Sequence, residues 1–119
     1  MLERAAILAV GSELLGTSRI DTNSLFITDQ LNVLGIEVAY KSVLGDDRAQ
    51  LATAVRFALD QVGLVVCCGG LGPTDDDVTR EVVAEVLARP LTEDAGITAR
   101  IRDRFASRGM EMPAINRRQ

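Results

Sequence analysis

Gly69-Gly70-Leu71-Gly72-Pro73-Thr74-Asp75-Asp76-Asp77-Val78-Thr79 follows directly on the apolar run Leu64–Cys68, LVVCC. The run is short, β-branched and unbroken, as expected of a strand covered on both faces. The glycines behind it permit positive φ and close backbone approach, so their N–H groups can line an anion-binding nest. Pro73 stiffens the turn. A helix beginning within Thr74–Asp77 would add its free N–H groups and its dipole. The plainer alternative is a turn followed by acidic capping residues, although one cap needs one acid and no glycine run.

Outward from this loop the same grammar repeats. Ala5–Val10 is continuously apolar and stops at Gly11, and Ile36–Val43 alternates more and stops at Gly45. Helical periodicity fills the gaps. One stripe is Ile27, Leu31 and Leu34, closed by Gly35. A second, Leu51, Val55, Ala58, Leu59 and Val62, opens at Asp46-Asp47 and closes at Gly63. A third is Val78, Val82, Val83, Val86 and Leu87, ending before Pro90, and a fourth is Ile97, Ile101 and Phe105. The order β-α-β-α-β-α-α predicts right-handed crossovers and a three-layer α/β/α domain with a mainly parallel sheet.

At 119 residues there is room for one domain, residues 1–119, and one core. Aromatic content of 3% makes that core aliphatic. Three strands make a narrow sheet with a bare edge. Together with the stop at Arg117-Arg118-Gln119, this suggests a domain that continues further. No apolar run is long enough to span a bilayer and no signal-peptide pattern opens the chain, so a cytoplasmic protein without a membrane partner is expected. A formal charge of −4 argues against a nucleic-acid partner held through phosphates. The charge is uneven: residues 98–119 hold six arginines against Asp103 and Glu111, which reads as a solvated basic face or a cradle for a phosphate. Cys67 and Cys68 are adjacent and end an apolar run, so they read as reduced core residues.

In parallel α/β sheets ligands bind beyond the carboxyl ends of the strands. Gly11, Ser12 and Glu13 follow the first strand, with Asp21, Thr22, Asn23 and Ser24 ahead of the first helix. Asp46 and Asp47 follow the second, and Gly69, Gly70, Gly72, Thr74 and the aspartate triplet follow the third. The topology predicts that these groups share one edge. No GK[ST] follows the glycines, and Lys41 is the chain's lysine. Three carboxylates would repel a bare pyrophosphate but suit a divalent cation such as Mg²⁺ bridging protein and phosphates. Without histidine, Ser-His-Asp and Cys-His mechanisms are unavailable, and Ser12 and Ser24 have no evident activating base. Hydrolysis would need a metal ion or a carboxylate base. GSELLG after the first strand is a poor match to a dinucleotide fingerprint.

GGLGPTDDDVT at 69–79 resembles the signature of the molybdopterin-binding, MoaB/Mog-type domain. GSELLGTSRIDTNS at 11–24, the Gly45-Asp46-Asp47 turn and MPAINRRQ at 112–119 resemble one branch of it, the N-terminal domain of the competence/damage-inducible protein CinA family. The resemblance covers essentially the whole chain. It implies the MoaB/Mog-like fold and a pocket for a small phosphorylated nucleotide or pterin. By the same resemblance Asp77, with Val78 and Thr79, falls on the acid used in adenylyl transfer to molybdopterin, and Asp76 is the companion acid of the CinA branch. Asp76 and Asp77 are thus the expected catalytic and metal-holding pair. Gly11, Glu13, Asp21, Asn23, Asp46, Gly69, Gly70, Gly72, Thr74 and Thr79 are the expected ligand-binding set.

The resemblance implies metal-dependent hydrolysis of ADP-ribose to AMP and ribose 5-phosphate, with self-association into a homo-oligomer. The nicotinamide mononucleotide deamidase activity of the CinA family belongs to a separate C-terminal domain not contained in these residues. The family's domain also continues beyond MPAINRRQ, which makes activity of the 119 residues alone an open expectation. Two other functions compete: molybdopterin binding or adenylylation, and a non-catalytic interaction or oligomerisation module.

Overall fold

A computed structural model describes residues 2–119. Its centre is β1 (Arg4–Val10), in which Ala5 through Val10 are all buried. β2 (Glu37–Leu44) and β3 (Leu64–Cys68) flank it, giving a three-stranded sheet in the order β2-β1-β3 with both pairings parallel. The β1–β2 register slips between Ala5 and Ala6. A strand paired on both edges and covered on both faces has no polar side, which explains its unbroken apolar sequence.

Alternation along β1 sorts the core into two layers. Ala6, Leu8 and Val10 face Leu51, Val55 and Ala58 of α2 (Arg48–Gln61) and Val78 and Val82 at α3 (Thr79–Val86). Ala5 and Ile7 face Leu31 of α1 (Asn23–Val33). The sheet is therefore sandwiched between α1 and the α2–α3 pair, the three-layer α/β/α arrangement with a parallel sheet that the sequence predicts. Cys67 joins the first cluster and Cys68 the second, so the adjacent thiols leave the strand on opposite faces, free and half-buried. Burial pushes both thiols up from their ordinary value.

Several boundaries differ from the sequence reading. Leu34 and Leu59 sit on predicted stripes but are 73% and 45% exposed. α1 ends at Val33, where the N–H groups of Gly35 and Ile36 close back on Asn32 O and Leu31 O, a Schellman turn that carries Leu34 out of the helix. α4 (Ala95–Ala106) forms where the Ile97, Ile101, Phe105 stripe predicts it, with Asp94 accepting from Ile97 N, yet it buries none of its residues. It stands beside the core. The radius of gyration, 16.0 Å, exceeds the roughly 13.5 Å of a compact chain this long. No helix among the described residues is long and apolar enough to cross a membrane.

Candidate functional site

Parallel pairing brings the three strand ends, Val10, Leu44 and Cys68, to one edge. The loops there are stitched to one another. Gly11 N–H donates to Leu44 O at 2.8 Å, joining the exits of β1 and β2. A short 3-10 turn, Ser12–Leu15, follows. Ser12 Oγ donates to Asp46 Oδ2 at 2.9 Å and accepts from Asp46 N at 3.2 Å, tying the first loop to the second. Asp46 thus organises the loops, and Asp47 caps α2 by accepting from Gln50 N at 2.9 Å.

Over the ends of β1 and β3 lies a cavity of about 190 Å³. Glu13, Asp21, Asn23 and Gly69 of the predicted set border it, with Cys68 and Arg19 beside them. The Glu13 carboxylate lies over Gly11, where an added Cβ would meet its Oε1 at 2.7 Å. Asp21 holds the start of α1: its carboxylate accepts from Ser24 N at 3.1 Å and from the buried Ser24 hydroxyl. Both serines therefore have a carboxylate partner, a revision of the sequence reading. The pairings are caps and loop ties rather than a nucleophile with a strong base.

The Gly69–Thr79 loop folds back on itself. Thr79 is 3% exposed; its Oγ1 donates to Gly69 O at 2.7 Å and its N–H to Gly70 O at 3.2 Å. Gly69 has φ 89°, and a Cβ there would overlap the carbonyl oxygen of Val10 on the central strand. Gly70 has φ 67°, and its Cβ would strike the Thr79 hydroxyl. The glycine pair is thus required by close packing of the loop against β1 and α3. Asp77 Oδ2 accepts from Thr74 N at 3.0 Å and from Thr74 Oγ1 at 2.7 Å, and Asp77 N–H returns to Thr74 O at 3.1 Å. The Thr74 hydroxyl foremost, then the Thr74 and Gly72 backbone and Arg80, hold the Asp77 carboxyl below its ordinary value against the opposing effect of desolvation.

This turn moves the helix start. α3 begins at Thr79, not within Thr74–Asp77, because Asp77 caps the loop instead of the helix. Asp76 is exposed, and Asp75 pairs with Arg118 at 3.1 Å. Among the described residues no group of three or more acids and cysteines is assembled to hold a metal ion. The predicted set therefore divides into three. Glu13, Asp21, Asn23 and Gly69 surround the cavity, while Gly72, Thr74 and Asp77 form a neighbouring turn; Asp46 and Gly11 serve the seam between β1 and β2. Arg80, which donates to Leu71 O and at 3.0 Å to Gly72 O, escaped the sequence reading, and Arg118, read there only as part of a basic tail, makes a contact with this loop that the sequence reading does not contain. Arg80 lies one residue past the motif and could have been suspected from that position. Arg118 is too distant in sequence to signal itself.

A doubly covered parallel sheet with a glycine–aspartate turn and a polar cavity at its carboxyl edge defines an α/β domain with a candidate site at the edge where ligands bind in such folds. The chain belongs to the family described as probable molybdopterin binding domain, whose model matches residues 6–119. A CinA-like protein of Solibacter usitatus is 49% identical over 97% of this chain and 28% of its own length. A putative competence-damage inducible protein of Levilactobacillus brevis is 47% identical over 98% of the chain and 28% of its own. The chain thus spans little more than a quarter of these curated relatives. Among solved structures, the protein CinA of Thermoplasma acidophilum, itself of unknown function, superposes with a TM-score of 0.84 at 33% identity, covering 98% of this chain and 68% of that one. The molybdopterin biosynthesis enzyme MoaB of Thermus thermophilus gives 0.69 at 29% identity, covering 76% and 58%.

Proposed function

We propose that this domain is a divalent-metal-dependent nucleotide pyrophosphatase acting on ADP-ribose-like substrates. The observation that carries the proposal is the pairing of the acid-bordered cavity, with Glu13 and Asp21 on its wall, with the Gly69–Asp77 turn beside it. Carboxylates facing a phosphate site need a cation between them and the substrate. Mg²⁺ characteristically takes one or two carboxylates plus phosphate oxygens and keeps its remaining waters, so Asp76 and Asp77 suit it without an all-protein cage. When bound, such an ion would neutralise charge on the diphosphate.

The chain's own residues supply the rest. The amides of Gly69–Gly72 orient the diphosphate, and Thr74 keeps Asp77 ionised and aimed by donating twice to one oxygen. Glu13, on the cavity wall, would serve as the carboxylate that takes a proton from an incoming water. Water adds to one phosphorus, the bridging P–O bond breaks, and AMP and ribose 5-phosphate leave. The test is turnover of ADP-ribose with and without Mg²⁺. Asp77→Asn and Asp76→Asn should each abolish it, and unchanged turnover in Asp77→Asn would sink the role given to that residue.

A second reading, molybdopterin binding or adenylylation, is favoured by the family description and by the likeness to MoaB. Competition between ADP-ribose and molybdopterin separates the two. Strong preference for the pterin without ADP-ribose turnover would reverse the order.

A further inference from the structure

We infer that Arg118 is a positioning residue for the Gly69–Thr79 loop, latching the loop's outer turn to α3. The inference rests on the ligand reading of that loop given above. From within, the loop is tied at its base by Thr79 and along Leu71–Gly72 by Arg80. Its outermost part, around Thr74 and Asp75, is exposed, with the Asp75 side chain 99% exposed. Arg118 reaches this part from the 3-10 turn Ala114–Arg118. Its Nη1 donates to Pro73 O at 3.4 Å and to Asp75 Oδ1 at 3.1 Å, and its Nη2 donates to Glu81 Oε1 at 3.1 Å.

Glu81 is the firm end of this bridge. It sits on α3 next to the core residue Val82, and its side chain is 22% exposed. Its Oε2 is buried without a hydrogen-bond partner, and the partly desolvated carboxylate is compensated by the hydrogen bond from Arg118 together with the charges of Arg80 and Arg118. The three acceptors diverge, a pattern that suits the planar fork of a guanidinium and not the point charge of a lysine. Arg117 secures the same turn from the other side, donating from Nε and Nη2 to the two oxygens of Glu93 at 2.8 Å each. Successive arginines thus clamp residues 114–118 between the loop and the entry to α4.

The Arg118–Asp75 pair is exposed and contributes little to global stability, so the effect of the latch on the loop lies in local order. In Arg118→Ala, amide hydrogen exchange at residues 70–77 should quicken several-fold, well beyond the modest fall in urea midpoint that follows from depriving Glu81 of a partner. Asp75→Asn, which keeps the shape of the side chain, should quicken it less. Affinity for ADP-ribose, measured by titration with Mg²⁺ present, should fall in Arg118→Ala and recover in part in Arg118→Lys. Unaltered loop exchange in both Arg118→Ala and Asp75→Asn would overturn the latch. Faster exchange with unaltered affinity would overturn its role in positioning. Faster exchange in a protein that does not bind ADP-ribose at all would sustain the latch and remove the nucleotide reading.

Discussion

Thr79 Oγ1 donates to Gly69 O at 2.7 Å from a residue that is 3% exposed, so the first helical residue of α3 closes the mouth of the loop that precedes it. Valine matches threonine in shape but cannot donate. Thr79→Val would leave the Gly69 carbonyl short of its partner where the buried side chain admits no replacement water, at a cost of about 1–3 kcal/mol. Thr79→Ser, which keeps the hydroxyl and loses a methyl, should cost less. Urea denaturation of the two variants checks the order, and a Thr79→Val protein as stable as the original would show that the bond contributes nothing.

Gly69 and Gly109 provide a matched pair for separating backbone conformation from crowding. Both have positive φ, 89° and 70°. A Cβ on Gly109 meets nothing within 4 Å, whereas one on Gly69 overlaps the Val10 carbonyl oxygen. Gly109→Ala should therefore carry only the conformational cost of a non-glycine residue in the left-handed region, about 1 kcal/mol. Gly69→Ala should exceed it clearly, because the obstructing atom is backbone on the central strand and cannot rotate away. Equal losses of thermal stability in the two variants would contradict the close approach seen between the loop and β1.

What the sequence reveals and what it hides follow the range of the interactions. β1 is legible because burial on both faces leaves no polar position between Ala5 and Val10. The glycine loop is legible because its backbone demands are local. The start of α3 is not: acids at 75–77 look like helix caps, and only the return of Asp77 to Thr74 shows that they belong to the turn. Ile97, Ile101 and Phe105 show helical spacing, but spacing cannot say whether a partner layer exists, and α4 lies outside the core. Arg117 and Arg118 read as a solvated basic tail or a phosphate cradle. Their actual partners, Glu93, Asp75 and Glu81, lie across separations no local pattern encodes.

The Arg117–Glu93 pair carries a pH signature of its own. Hydrogen bonds from Arg117 foremost, then its charge, Thr98 and Arg102, hold the Glu93 carboxyl down at about 2, from an ordinary value of 4.5, against a smaller desolvation effect. A carboxyl whose folded pKa is depressed stabilises the fold above its unfolded pKa and loses that contribution as pH falls through the folded one. The window here runs from about pH 4.5 down to about 2. Asp77 and Glu81 are also lowered, so their contributions fade in the same direction as acid is added. The Glu93 pair is exposed, so the stability change should be small and should shrink further with added salt. The direct measurement is a carboxyl-carbon NMR titration at low ionic strength, with Glu93 expected to titrate near pH 2. Arg117→Gln should return it toward the ordinary carboxylate range. A Glu93 that titrates in that range while Arg117 is intact would show that the two-oxygen contact does not persist in solution.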